Sequence, residues 1–334
     1  MTLSTRTPTA LAAALRDIQS PVLSQLDSVS QELWRIVSAD VPLVQEVQHH
    51  LMGMKGKLFR PTLLLLASAV EDRSQPRAVT YAAVVELIHL ATLVHDDAVD
   101  HSALRRGMPT VNSLFSHQVS VIMGDYLYLR ALRELVMLGD LEAMRAITVA
   151  SNEMTLGEMR QLSAFDALAF TETDYETLIR AKTASLFMAA CEVGALCGAP
   201  RHRDALVRFG ERLGMAFQVA DDLLDYTEGQ EMTGKPSGLD LKEHKVTLPL
   251  IAALREMSSS ARSRVEALFA APEPEDEAIS EVIGIVRDHG GLDYARRRGD
   301  LFAREAEEAL GDLPESPSRS SLIDSIAYVV ERRW

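Results

Sequence analysis

The chain reads as an all-α protein built as a single helical domain over residues 1–334. Three observations carry that reading. Apolar residues recur three and four apart through long stretches rich in Ala, Leu, Glu, Arg and Met. Clean alternation of apolar and polar residues is scarce. The breaks are short Gly and Pro punctuation, none long enough to link two domains.

Taken in order, the periodicity predicts helices over roughly 8–39, 40–52, 58–70, 75–100, 110–117, 119–138 and 141–163. It continues with helices over roughly 173–198, 202–228, 243–269, 276–289, 292–311 and 317–332. Gly53 to Gly56, Gly107-Met108-Pro109, Gly198-Ala199-Pro200, the 234–238 loop and Gly290-Gly291 mark stops by turn chemistry. The acidic, Pro-containing stretch Ala271 to Glu277 shifts composition, yet helical patterning resumes on both sides. The informative motifs fall within about 53–250, and further helices follow over 251–334.

Composition narrows the function. The 334 residues are 47% hydrophobic, enough for a large core, and the formal charge of -14 argues against capture of nucleic acid or an anionic membrane. Cys191 and Cys197 match no zinc spacing and read as core thiols in a reducing, cytoplasmic protein. The run Leu63 to Val70 is too short to span a bilayer, and Met1 to Leu15 lacks signal-peptide character, so no stable membrane insertion is expected.

Two acidic triads stand out. Asp96, Asp97 and Asp100 close an apolar helix, and Asp221, Asp222 and Asp225 repeat the same spacing in a second. Positions four apart share a helix face, with the middle aspartate beside them. Carboxylates crowded at a helix end repel one another, and a C-terminal helix dipole adds to the penalty. A bound dication removes it, and Mg²⁺ uses a few carboxylates while leaving other positions to water and phosphate. A solvated helix surface explains one acidic run; two identical triads point to a metal-bridged diphosphate clamp.

Basic residues accompany the triads. Arg105 and Arg106 follow the first in a loop, and arginine's fork suits phosphate oxygens. Lys57 and Arg60 open an apolar helix one turn apart, where free backbone N–H groups favour a second anion. Lys182 and Thr183 lie in an Ala-rich helix, and Lys235 and Lys245 flank the second triad; Lys242 reads as surface. His89, on the first-triad helix, reads as a core histidine or a ligand on the basic side. His95 admits a His-Asp phosphohydrolase, which leaves the second triad unexplained.

These residues together resemble the trans-isoprenyl diphosphate synthase family from about Gly56 to Pro249. The ordered motifs are Gly-Lys-x-x-Arg-Pro at 56–61, Asp-Asp-x-x-Asp at 96–100, Arg-Arg-Gly-x-Pro at 105–109 and Gly-Asp at 124–125. They continue with Gly-Glu-Met at 157–159, Lys-Thr at 182–183, Phe-Gln-x-x-Asp-Asp-x-x-Asp at 217–225 and Gly-Lys-Pro at 234–236. The resemblance implies the isoprenoid synthase fold, a helical bundle around a deep central cavity. It implies three Mg²⁺ ions held by Asp96, Asp97, Asp100, Asp221 and Asp222, with Asp225 completing the second group. It places Arg105, Lys182, Lys235 and Lys245 on an allylic diphosphate, and Lys57, Arg60, His89 and Arg106 on isopentenyl diphosphate. Thr183 and Gln218 would face the reacting carbons. His244 stands where family members often carry Gly. A homodimer is also expected.

The family also stops chain growth with bulky residues one turn before the first triad. Here Ala91 and Thr92 leave that path open past Ile88, with a floor expected near Tyr126 and Tyr128, so a product of roughly C30 to C45 follows from helix depth. Close helix packing also explains small residues at 91 and 92. The alternatives are a short-chain farnesyl or geranylgeranyl diphosphate synthase, a cyclase on the same fold, and a non-catalytic subunit of a heteromeric synthase.

Overall fold

The computed structural model describes residues 8–54, 56–105, 107–162, 167–227 and 238–331. The first long predicted helix divides at Pro21, because proline disfavours helical geometry in the residue before it. A 3₁₀ turn at Ser20–Val22 separates α1 (Pro8–Gln19) from α2 (Leu23–Val37). After α3 (Pro42–Gly53), α4 (Phe59–Ser68) begins from Leu58 at φ 48°, a left-handed conformation unusual for leucine. Leu63 to Leu66 are wholly buried. A helix apolar on all sides belongs at the centre, and α4 packs between α5 (Arg77–Val99), α10 (Ser185–Gly198) and the last helix, α17 (Pro317–Glu331).

The α5 helix is long and apolar enough to cross a membrane, against the expectation that no segment is, but 56% of that stretch is buried inside the protein. It packs most heavily on α7 (His117–Leu138) and also on α2 and α4. Between α5 and the short α6 (Val111–Leu114), the segment expected as a loop forms a two-stranded ribbon, β1 (Leu104–Arg105) against β2 (Met108–Pro109). Helix α8 (Leu141–Leu162) packs on α10.

The predicted 173–198 helix is continuous but not uniform. Glu172–Ile179 forms α9, Arg180–Ala184 forms a π turn, and α10 follows directly. Helix α11 (Arg203–Thr227) packs on α10 and on α16 (Gly291–Ala309). The predicted 243–269 helix is corrected. It contains α13 (Leu248–Glu256), led by Pro249 in its first turn, and α14 (Ser259–Ala270), with extended Met257 between them and Ser258 capping Ala261 N–H at 3.2 Å. The short α12 (Leu239–Lys242) and α15 (Asp276–Asp288) complete the chain. One hydrophobic cluster runs from Leu15 to Val329.

The α4–α10 contact depends on glycine. A Cβ on Gly194 would lie 2.3 Å from the Leu64 carbonyl oxygen and 2.8 Å from the Ala67 Cβ. The obstruction is partly backbone, which does not yield cheaply. Gly194→Ala is expected to destabilise the protein by about 1–3 kcal/mol, measured as a lower urea midpoint with an unchanged m value.

Candidate active site

The two acidic motifs meet at one cavity. Asp96 and Asp97 end α5, and Asp100 caps it, its N–H donating to the Asp96 carbonyl at 2.8 Å. Asp221, Asp222 and Asp225 sit near the end of α11. A cavity of about 620 Å³ is lined by Asp100 and Asp222 together with Lys182, Thr183, Gln218 and Lys245. A second hollow of about 540 Å³ lies between Glu71, Arg201 and Asp312 and touches neither motif.

Burial governs the charges here. It pushes the Asp96 carboxyl up to about 6 despite nearby Lys182, with Glu158 and Asp100 adding to the rise. Asp222, 5% exposed, is pushed up to about 7 by burial, against hydrogen bonds from Tyr175 and Gln218 that favour the anion. Lys245 is pulled down by burial, but the hydrogen bond and charge of Glu243, with the charges of Asp100 and Asp240, together leave the ammonium raised. Its Nζ stands 2.6 Å from Glu243 and 4.0 Å from Asp100.

Several of the residues singled out from the sequence have protein partners in the structure. Arg105 donates from Nε to both oxygens of Asp97 at 2.9 Å, so Asp97 orients a guanidinium as well as belonging to the acidic motif. Lys182 pairs with Glu158 at 2.5 Å and donates to Gln161 at 3.0 Å, both on α8. The two oxygens of Asp225 accept the N–H groups of Leu239 and Asp240, each at 3.0 Å, and so anchor α12. Thr183 donates to Gln218 Oε1 at 2.6 Å, and both residues line the cavity. Lys235 and Arg106 lie outside the described residues.

The basic side is aromatic underneath. The Lys57 ammonium stands 5.7 Å over the Tyr328 ring and the Arg60 guanidinium 4.7 Å over Phe187. His89 is half-buried on α5, and its carbonyl accepts the Thr92 hydroxyl at 2.8 Å. The 620 Å³ cavity is not lined by Lys57, Arg60 or His89, nor by the chain-length candidates Ala91, Thr92 and Ile88. The Tyr126 hydroxyl donates to the Val37 carbonyl at the end of α2 at 2.8 Å. His244 adopts φ 55°, a conformation that favours glycine, and is held there by a 2.9 Å contact from Nε2 to the Ala271 carbonyl.

Residues that the sequence reading passed over complete the site. Asp240 lines the cavity, and burial with nearby Asp222 and Asp225 pushes its carboxyl well above the usual range. Glu158 and Gln161 hold Lys182, and Tyr175 holds Asp222. Tyr175 is two helical turns before Lys182, but nothing in its residue type separates it from a core tyrosine.

The donor set fits a hard dication that shares its coordination. Among the described residues, no cluster of three or more His, Cys, Asp or Glu side chains is arranged to hold a metal by itself. Mg²⁺ bound through one or two carboxylates, with water and phosphate completing its octahedron, needs no such cage.

The raised Asp222 carboxyl makes a stability prediction for chelated protein. Its folded value of about 7 exceeds the ordinary carboxylate value of about 4, so the folded state binds more protons between those limits and stability falls as pH rises through them. An asparagine side chain in its place cannot ionise. Asp222→Asn is therefore expected to melt above wild type at pH 8 and level with it at pH 4 in scanning fluorimetry with chelator.

Two aspartate-rich helix ends meet at one cavity of a helical protein, with lysines lining it and an arginine held by Asp97, a donor set that fits a diphosphate with a hard dication. Residues 41–286 match the Polyprenyl synthetase family, and the chain belongs to it. It is 38% identical over 319 residues to the all-trans-nonaprenyl-diphosphate synthase (geranyl-diphosphate specific) of Rhodobacter capsulatus, covering 95% of this chain and 98% of that one. It is 34% identical to the octaprenyl diphosphate synthase of Escherichia coli K12, covering 95% and 99%. A polyprenyl synthase from Caulobacter crescentus CB15, solved with calcium and isoprenyl diphosphate, superposes with a TM-score of 0.91 at 31% identity, covering 96% and 98%.

Proposed function

We propose that this protein is a long-chain trans-polyprenyl diphosphate synthase that adds isopentenyl diphosphate units head to tail to an allylic diphosphate. The observation that carries the reading is the meeting of both acidic motifs, through Asp100 and Asp222, at one cavity that also receives Lys182 and Lys245. Full-length similarity to synthases named for eight- and nine-unit products supports the long-chain class.

Mg²⁺, when bound, supplies charge neutralisation at the departing diphosphate. The chain's own residues do the rest. Lys182, Lys245 and Arg105 give that diphosphate fixed cationic donors, already oriented by Glu158, Glu243 and Asp97. Such preorganised electrostatics is the main catalytic effect available to the site. Lys57, Arg60 and His89, with Arg106, form the isopentenyl diphosphate site, and the absence of Lys57, Arg60 and His89 from the first cavity's lining suits a second substrate. Calcium and isoprenyl diphosphate in the Caulobacter relative support a metal-dependent diphosphate site here.

A homodimer completes the proposal. Helices α7 and α8 expose Ile122, Leu129, Val136, Leu141, Val149 and Met159, an apolar face that a second copy would cover. Two buried free thiols suit a reducing cytoplasm.

The test is incubation with labelled isopentenyl diphosphate, Mg²⁺ and either geranyl or farnesyl diphosphate, followed by sizing of extracted products. Metal-dependent products of C30 or longer are expected. Products ending at C20 would replace the long-chain assignment with a short-chain one. No incorporation with either primer would favour a partner subunit, and conversion of the primer alone a cyclase.

A further inference from the structure

The second acidic motif is not a free row of carboxylates. Tyr175, 2% exposed, donates its hydroxyl to Asp222 Oδ2 at 2.5 Å. Gln218 donates from Nε2 to Asp222 Oδ1 at 2.8 Å. Gln218 is itself oriented, because the Thr183 hydroxyl donates to its Oε1 and thereby turns the amide nitrogen towards the aspartate. Each oxygen of Asp222 thus takes one donor from the protein and keeps its remaining lone pair for something else.

The helix that carries Tyr175 is fixed from outside. A reciprocal capping box between Thr171 and Asp174 starts α9. Glu172, on its outer face, accepts the Tyr294 hydroxyl at 2.9 and 2.8 Å and pairs with Arg255 at 2.8 Å. One turn on, Glu176 accepts Arg298 Nε at 2.8 Å and Nη2 at 2.5 Å. Tyr175 lies between these two glutamates in sequence, about 60° around the helix from Glu172 and about 100° from Glu176, and lines the cavity. Helices α13 and α16 therefore grip α9 while its tyrosine reaches Asp222.

We propose that Tyr175 is a positioning residue for the diphosphate-metal site, fixing the rotation of the Asp222 carboxylate so that its free lone pairs face the shared cavity. The proposal rests on the reading that this motif binds a dication with diphosphate. The χ2 torsion of aspartate is soft, so a carboxylate held by Gln218 alone turns more freely than one held on both oxygens. Outer partners of metal ligands act in this way, and their loss typically lowers metal affinity about 10–100-fold. The relay also gives Thr183 and Gln218 a role through Asp222.

The experiment is Tyr175→Phe in the full chain, which removes one oxygen and leaves the ring. Mn²⁺ binding in the presence of inorganic diphosphate is followed by electron paramagnetic resonance of the free ion, so no turnover is needed. The expected result is about tenfold weaker Mn²⁺ binding by protein that remains folded, checked by its melting temperature in chelator. In an Asp222→Asn background, the same substitution is expected to have no further effect on residual Mn²⁺ binding. Unchanged Mn²⁺ affinity in Tyr175→Phe overturns the proposal, as does an equal loss in the Asp222→Asn background. A wild-type protein that binds Mn²⁺ and diphosphate but incorporates no isopentenyl diphosphate removes the functional reading; the Mn²⁺ titrations still decide the role of Tyr175.

Discussion

Asp96→Ala is expected to lower isopentenyl diphosphate incorporation at least about 10³-fold, because the change removes both a proposed metal ligand and the charge balance around it. Asp96 is the member of the first motif least committed to the protein. Asp97 is engaged by Arg105, and Asp100 caps α5 near Lys245. Asp96 instead keeps a carboxyl pushed up to about 6 by burial, close to Lys182. Without it, Lys182 and Arg105 remain, so substrate binding should weaken less than turnover. Single-turnover assays at saturating substrate measure this split. Retention of more than a tenth of wild-type turnover in Asp96→Ala would remove Asp96 from the reaction. The corresponding Asn variant separates loss of charge from loss of bulk.

Ala91→Phe is expected to shorten the product from the long-chain class to roughly C15–C20, since position 91 lies about 7.5 Å along the helix axis from Asp96. Ala91 is 2% exposed on α5, so a phenyl ring there must occupy either the path of the growing chain or the packing between helices. The two cases separate cleanly. Obstruction of the path leaves the first condensation near wild-type rate and changes only product size. Overpacking lowers stability by about 1–3 kcal/mol and slows every step. Product sizing with a geranyl primer, alongside the melting temperature, distinguishes them; full-length product from a normally stable Ala91→Phe protein would mean that the chain passes elsewhere.

The sequence made the helices readable because long apolar periodicity and Gly or Pro stops are local signals. Its errors arose where a local signal competes with a pattern. Pro21 interrupts a stretch whose periodicity runs on, and Ser258 caps a new helix inside one predicted span. The π turn at Arg180–Ala184 has no residue signature, since it is set by how α9 and α10 pack on their neighbours. The acidic motifs were likewise legible as residues, but the direction of each carboxylate was not. Spacing made Asp221, Asp222 and Asp225 equivalent; the fold gives Asp225 to the start of α12 and Asp222 to Tyr175 and Gln218. Asp240 escaped notice because only the fold of the intervening chain brings it back to the second motif.

His244 illustrates a different limit. The motif comparison marks it as a departure from glycine, and its left-handed backbone supplies the reason that glycine suits the position. The hydrogen bond to the Ala271 carbonyl and the edge contact with Phe269 hold the imidazole in that conformation.

On the proposed reading, the placement of the first motif on α5 makes that helix a measuring rod as well as a scaffold. From Asp96 back to Arg77 it offers about 28 Å at the α-helical rise. At the far end Arg77 is bound to Asp140 at 2.8 Å, and nearby Tyr81 is buried with no hydrogen bond to its hydroxyl among the described residues. If the product grows along α5, as proposed from Ala91 and Thr92, its apolar path meets this ion pair, and extension beyond it would exchange hydrocarbon packing for disruption of the pair.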